Sequence, residues 1–181
     1  KELKLGIGDT IRVYKANMII PQIAENLTQS GNLIIPDVCP VCGGEAKIIK
    51  SNDVESLYCM NPDCQAKKIK AFTLFVSRDA MNIDGLGERI MEDFFNFGFI
   101  KNITDIYKLD MHKKDLITLE GYGNKSVANL LDAIDASKNN SLERLIFGLG
   151  IKHVGSKTAK VLARKYKTLD GLMNAGVDEL V

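Results

Sequence analysis

A five-residue pattern occurs three times in the second half of this chain: an apolar residue, any residue, glycine, an apolar residue and glycine. It occupies residues 83–87, 119–123 and 151–155, although the third copy has His153 in place of the first glycine. The closing glycines are 123 − 87 = 36 and 155 − 123 = 32 residues apart. A repeat of this period indicates an array of one supersecondary unit. The helical pattern after each copy predicts a turn that leads into a helix.

The start of a helix is a place where an anion can bind. The first four N–H groups of a helix lack internal partners, and the helix dipole adds roughly half a positive charge there. Glycine allows either a left-handed backbone or the close approach of a phosphate. Three such junctions favour a nucleic-acid backbone, which offers many phosphates whatever the base sequence. The predicted contacts are Gly85, Gly87, Gly121, Gly123, Lys125, Lys152, Gly155 and Lys157.

The net charge of the chain is only +1, so a nucleic-acid surface requires local segregation of charge. Residues 141–167 contain seven Lys and Arg residues and one acid, Glu143, a balance of 7 − 1 = +6. Residues 83–96 contain one Arg and four acids, a balance of 1 − 4 = −3. We therefore expect the third repeat to bind phosphate most strongly and the acidic first repeat to be mainly structural.

All four cysteines lie in one segment, as the pairs Cys39 and Cys42, and Cys59 and Cys64. Two close pairs at this separation are typical of a tetrahedral zinc site, in which Gly43 and Gly44 would allow the first pair to turn tightly. Four thiolates would leave no open coordination position, so the zinc would be structural. Two disulfides or an iron–sulfur cluster are the alternatives.

Several weaker signals have two interpretations. Lys167, Asp170 and Gly171 are similar to the Lys-x-Asp-Gly nucleophile motif of nucleotidyl transferases, but one residue too many separates them, and a helix start capped by Thr168 is favoured. His153 is either a phosphate contact or a solvated turn residue. Lys67, Lys68 and Lys70 form either a phosphate-binding patch or an ordinary solvated surface, and the sequence favours neither interpretation.

The sequence indicates a cytoplasmic protein without its own catalytic centre. No apolar run reaches the roughly 18 residues of a membrane span, and no signal peptide is visible. No nucleophile with a base, no pair of acids in a cleft and no Walker loop is recognisable. The chain lacks an initiating Met, which suggests a piece of a larger protein.

The predicted architecture is mainly α, with a small β segment at the start. Two short strands are expected before residue 21, the second of them over residues 18–20. Apolar residues at helical spacing follow from Phe72 onward, as in the stripe Val127, Leu130, Leu131 and Ile134. We predict three regions: a β segment with a linker over 1–36, a four-cysteine zinc finger over 37–70, and a helical array over 71–181 whose fourth hairpin is truncated.

Glycine turns between helices, placed after a four-cysteine site, are typical of one family. The chain resembles the C-terminal part of bacterial NAD-dependent DNA ligases over essentially all of its 181 residues. The most specific segments are residues 75–81, 85–87 and 149–155. The resemblance implies the end of an OB fold at the start of the chain, then the zinc finger, then a helix-hairpin-helix domain.

The same resemblance implies the function and further contacts. In this family the OB fold lies in the DNA minor groove, and its contacts fall here on Lys15, Ile19 and Ile20, although Asn17 and Met18 depart from the family's turn sequence. Such enzymes transfer AMP from NAD to a lysine and seal nicks with Mg. Their adenylation domain would lie upstream of this chain. The chain is therefore expected to clamp nicked duplex DNA without performing chemistry; alternatives are a DNA-binding module of a repair nuclease or junction-binding protein, and a zinc-bearing adaptor for proteins.

Overall fold

The computed structural model describes residues 3–52 and 54–180, which form two compact units. The first unit ends at Asn61 and the second begins at Pro62. As predicted, the chain is mainly α with two small β-hairpins near its start.

Three residues, 17–19, connect the strands of the first hairpin. Strand β1 (Ile11–Ala16) pairs antiparallel with β2 (Ile20–Asn26). Asn17 and Met18 both have positive φ, 51° and 63°, as in the primed turns whose twist matches that of the flanking strands. The second strand was expected at residues 18–20. It instead begins at Ile20 and continues through Pro21, because Met18 is part of the turn.

One carboxylate closes this hairpin at its open end. The Asp9 carboxylate accepts hydrogen bonds from the Gly6 N–H (2.7 Å), Asn26 Nδ2 (2.8 Å), Thr28 Oγ1 (2.8 Å) and the Ser30 N–H (3.2 Å). Partial desolvation alone would raise the pKa of Asp9. The hydrogen bonds from Asn26, Ser30 and Thr28 outweigh it and hold that pKa far below its usual range.

The second hairpin lies within the cysteine segment. Strands β3 (Ala46–Ser51) and β4 (Val54–Cys59) pair antiparallel, with Ala46 opposite Cys59 and Ile48 opposite Leu57. Paired residues lie on the same face of a hairpin, so Ile48 and Leu57 form a cross-strand apolar pair. The hairpin connects the two cysteine pairs.

The second unit is helical. Its elements are α1 (Gln65–Val76), α2 (Glu88–Asn96), α3 (Ile103–Ile106), a 3₁₀ helix (Leu109–His112), α4 (Lys113–Thr118), α5 (Asn124–Ser137), α6 (Leu142–Gly148), α7 (Ser156–Tyr166), α8 (Leu169–Met173) and α9 (Val177–Leu180). Among residues 3–52 and 54–180, no helix is long and apolar enough to cross a membrane.

The core of the helical unit joins α1, α2 and α5. Phe75, Phe94 and Met91 are fully buried, and the predicted α5 stripe contributes Val127 and Leu130. Burial of a side chain of this size stabilises a fold by roughly 1.5–3 kcal/mol. The first two repeats are therefore mounted on one shared core, and α6 packs against it through Leu145.

We expect the Asp9 network to make the first unit sensitive to acid. The pKa of this carboxyl is lower in the folded than in the unfolded state, so its stabilisation is complete above the unfolded pKa, about 4. It is lost as the pH falls through the lower folded pKa. Asp9→Asn should lower the melting temperature of the unit at neutral pH and remove this acid-dependent component. NMR signals of residues 26–30 during thermal unfolding would report it.

Glu25→Gln is the matched control for Asp9→Asn. Within residues 3–52 and 54–180, the Glu25 side chain forms one exposed ion pair, with Arg12 (2.9 Å), and such a pair contributes little to stability. Equal effects of the two substitutions would contradict the assignment of the stabilisation to Asp9.

Candidate metal centre and nucleic-acid interface

The four cysteine sulfurs lie together. The Sγ atoms of Cys39, Cys42, Cys59 and Cys64 are all within 4.8 Å of one another. A tetrahedral ion with metal–sulfur bonds of about 2.3 Å requires Sγ atoms about 3.8 Å apart. The Cys42 and Cys59 Sγ atoms are 3.5 Å apart, which is far longer than a disulfide bond of about 2.05 Å. The four side chains can therefore hold one metal ion.

A tight backbone turn positions the first cysteine pair. The Gly43 N–H donates to the Cys39 carbonyl (2.9 Å), and Gly43 has a left-handed φ of 67°. The Gly44 N–H donates to Cys42 Sγ at 3.4 Å. A Cβ at Gly44 would lie 3.0 Å from the Asn61 Cβ, a tight contact that favours glycine at this position as well. The turn thus uses both glycines for different reasons.

The electrostatics of the first pair favour a thiolate. Hydrogen bonds from the backbone N–H groups of Cys42 and Val41 lower the pKa of the Cys39 thiol. Cys64 is buried and lies at the N-cap of α1, where the helix dipole favours negative charge. Metal ligation requires deprotonated sulfur, so both features suit a metal site.

The three repeats share one backbone conformation. The third residue is left-handed in each, with φ of 92° at Gly85, 83° at Gly121 and 68° at His153. The fourth residue donates to the first in the later two repeats, from Tyr122 to Leu119 (3.0 Å) and from Val154 to Ile151 (2.9 Å). These features are typical of a type II turn, which favours glycine or asparagine at its third position. His153 adopts this conformation without being glycine.

The closing glycine of each repeat has a different role. Gly87, Gly123 and Gly155 are the N-caps of α2, α5 and α7, with extended φ of −67°, −113° and −81°. A Cβ at any of them would meet no atom within 4 Å. Left-handed backbone is therefore the wrong explanation for these three glycines. Close approach of a ligand is the other interpretation, and it remains a prediction.

The second and third repeats differ in whether the N–H group of the closing glycine has a hydrogen-bond acceptor. The Gly123 N–H donates to Ser126 Oγ at 2.9 Å. In the described part of the chain, the Gly155 N–H has no acceptor. The sequence does not predict Ser126, because the usual side chain three residues after the N-cap of a capping box is Glu or Gln. The third repeat therefore keeps one more donor for an anion.

The cations of residues 141–167 divide into two groups. Arg144 donates to the backbone carbonyl of Ala80 (2.6 Å), and Lys165 Nζ donates to that of Glu179 (2.7 Å). Within residues 3–52 and 54–180, the remaining five form no ion pair. These are Lys152, Lys157, Lys160, Arg164 and Lys167. Arg144 is half-buried and the other six side chains are exposed, so the sequence balance overstates the charge that faces solvent by one.

The sequence leaves open whether the lysines of residues 67–70 form a phosphate patch or an ordinary solvated surface. Two of them have acidic partners. Lys68 pairs with Asp63 and Lys70 pairs with Glu88, both at 2.8 Å. Thr168 Oγ1 accepts the Gly171 N–H (3.0 Å) and caps α8, which confirms the favoured interpretation of residues 167–171 as a helix start.

The three residues assigned to the minor groove lie at the tip of the first hairpin. Lys15 is in β1 opposite Pro21, Ile19 follows the turn, and Ile20 begins β2. Ile19 is 78% exposed and Ile20 is 56% exposed. Within the described residues, the tip therefore presents a lysine beside two solvent-exposed aliphatic side chains.

Comparisons with known proteins agree with this arrangement. A helix-hairpin-helix motif family matches residues 144–181. The chain is 51% identical over 179 residues to a protein named DNA ligase from Lachnoclostridium phytofermentans, covering 98% of this chain and 27% of that protein. DNA ligases from Ruminiclostridium cellulolyticum and Ligilactobacillus salivarius are each 47% identical, covering 99% of this chain and 27% of those proteins. The chain thus spans a little over a quarter of these relatives.

Removal of the metal should unfold the cysteine segment. We expect one ion per chain, because the four thiols form a single set. Structural zinc contributes on the order of 10 kcal/mol to the folding of small sites. Chelation should therefore unfold residues 37–61 and leave the helical unit, from α1 onward, largely intact, as measured by NMR and far-UV circular dichroism.

Cys42→Ser should lower the metal content, whereas Ser56→Ala, in the neighbouring strand β4, should leave it unchanged. Native protein without any bound metal by elemental analysis would contradict the site.

Proposed function

Because this chain is homologous over 98–100% of its length to one segment of bacterial DNA ligases, we propose that it is the DNA-binding part of an NAD-dependent ligase. In this proposal the parent enzyme seals nicks in duplex DNA during replication and repair, in the cytoplasm. The proposed role of the chain is to clamp the nicked duplex. The relatives extend well beyond this segment, and the adenylation domain, which uses NAD and Mg, would belong to that remainder.

The observation that best supports this proposal is the arrangement of hydrogen-bond donors and lysines at the third repeat. The Gly155 N–H, which has no acceptor among the residues that the structure describes, lies at the start of α7, and the exposed Lys152 and Lys157 flank it in sequence. Backbone donors, helix dipole and lysines would all attract a phosphate. The second repeat would contribute Gly121, Gly123 and Lys125, and the first repeat Gly85 and Gly87. None of these groups selects a base, so binding would not depend on DNA sequence.

The tip of the first hairpin would supply a second kind of contact. Lys15 would neutralise a phosphate, while Ile19 and Ile20 would lie against the sugars and bases of the minor groove. Exposed aliphatic side chains are used in this way by other minor-groove proteins. The contact would hold the duplex without base-specific hydrogen bonds.

We assign the metal as zinc. Four cysteines at this spacing, with sulfur separations that suit a tetrahedral ion, are typical of a closed structural zinc site. Bound zinc would supply folding energy and no Lewis-acid chemistry, since four thiolates complete its coordination. An iron–sulfur cluster would be coloured and would contain iron, which elemental analysis distinguishes.

Titration of a nicked duplex at two salt concentrations tests the DNA-binding role. Each phosphate contact contributes about −0.9 to the slope of log affinity against log salt. Lys152→Ala and Lys157→Ala should each make the slope less negative by about this amount, equally for different DNA sequences. Lys138→Ala is the control, because Lys138 already pairs with Asp135 at 2.9 Å. Salt-independent binding, or none, would favour a protein adaptor instead.

Gly155→Val separates phosphate approach from folding. The extended backbone and open space at this position accept a side chain, so the protein should fold. Duplex affinity should nevertheless fall by about tenfold or more, because the Val side chain would displace the phosphate from the helix start. Gly176→Val is the matched control, since Gly176 immediately precedes α9 and also has open space around its Cβ. Unchanged affinity in folded Gly155→Val would refute this contact.

The chain alone should not react with NAD. After incubation with NAD labelled in its adenylate, no labelled protein should appear on a denaturing gel, whereas an intact DNA ligase would be labelled. A labelled adduct would show that an adenylation site lies within these 181 residues and would refute the proposed division of labour.

A further inference from the structure

Two side chains near the start of α6 bind the backbone of the turn before the first repeat. Asn140 Nδ2 donates to the Met81 carbonyl at 2.7 Å. Arg144 donates through Nε to the Ala80 carbonyl at 2.6 Å and through Nη2 to the Arg78 carbonyl. We call these three hydrogen bonds the brace. They join positions about sixty residues apart, so neighbouring sequence does not dictate them.

Close packing accompanies the brace. A Cβ at Gly148, the last residue of α6, would lie 3.1 Å from the Ala80 Cβ and 3.3 Å from Phe75. Gly150, with φ of 63°, would bring a Cβ within 3.1 Å of Leu74. Ala80 itself is fully buried. The end of α1 and the following turn therefore contact α6 directly, without an intervening layer of side chains.

The brace lies where the second and third repeats are joined. Helix α5 follows the second repeat and ends at Ser137, and α6 begins at Leu142 and leads to the third. Only four residues connect these helices, and Asn140 is one of them. The first repeat also contacts α5, since a Cβ at Gly85 would lie 3.6 Å from Leu130. The angle between α5 and α6 thus determines the orientation of the third repeat relative to the first two repeats.

We propose that Arg144, with Asn140, is a positioning residue for DNA binding: the brace holds the second and third repeats so that both can bind one duplex. The inference rests on the proposed DNA-binding function. Repeats held in a compatible orientation bind a polymer with a high effective concentration, and a loose connection loses part of that gain. Arg144 belongs to the basic segment, yet its guanidinium acts on the protein rather than on DNA.

The geometry requires arginine. Nε and Nη2 of one guanidinium reach two carbonyls of the same turn, and the fork is planar and rigid. A lysine at this position would keep the charge but offer a single nitrogen. Arg144→Lys therefore weakens the brace without altering the net charge that attracts DNA.

The test is a double-mutant cycle with Arg144→Lys and Lys125→Ala, read as affinity for a nicked duplex. Arg144→Lys alone should weaken binding by about tenfold. In the parent chain Lys125→Ala should also weaken binding. In the Arg144→Lys background it should have almost no effect, because the protein then binds mainly through its third repeat. A change in global stability alone would not remove the contribution of Lys125.

Arg164→Lys is the matched control. Arg164 is an exposed residue of α7 in the same basic segment, and the substitution should leave the effect of Lys125→Ala intact. Circular dichroism checks that each variant is folded. If Arg144→Lys fails to fold, Asn140→Ala, which removes one hydrogen bond of the brace, takes its place in the cycle with the same expected sign.

Additive effects in folded variants would overturn the proposal, as would a Lys125→Ala that binds DNA like the parent chain. Either result leaves the DNA-binding function standing if the parent chain binds. A parent chain that does not bind duplex DNA would instead refute the proposed function itself.

Discussion

The left-handed backbone at the third residue of each repeat is the constraint on which the helical unit depends. Gly85, Gly121 and His153 all adopt it, and each lies just before a helix that begins at the closing glycine. A residue with a Cβ is strained in this conformation, so glycine is favoured. His153 has the same conformation, which shows that the turn is imposed by its surroundings and not only by glycine.

Backbone conformation does not explain the closing glycines. Gly87, Gly123 and Gly155 have ordinary extended backbone and open space, so the fold alone does not explain why they lack side chains. A ligand that must approach the helix start would explain it, and a phosphate is the ligand that such a start favours. In each repeat, the third position thus serves the backbone conformation, and the closing glycine would serve the approach of a ligand.

A metal ion would stabilise a different part of the chain from the part that the apolar core stabilises. In the cysteine segment, short strands expose aliphatic residues such as Ile48 and Val54, and a four-thiolate set is the main candidate for stabilisation. The helical unit instead buries Phe75, Phe94 and their neighbours in a continuous core. Small segments with little buried apolar area commonly rely on a metal in this way.

The sequence by itself determined the features that depend on near neighbours: the cysteine pairs, the glycine turns, the α5 stripe and the Thr168 cap. Spacing and local hydrogen bonding are sufficient for these. The tertiary structure alone decided which cations face solvent. Arg144 and Lys152 look alike in sequence, yet Arg144 binds carbonyls 64 and 66 residues away. Such partners meet only when the helices pack, and helical periodicity contains no information about which distant carbonyl will lie within reach.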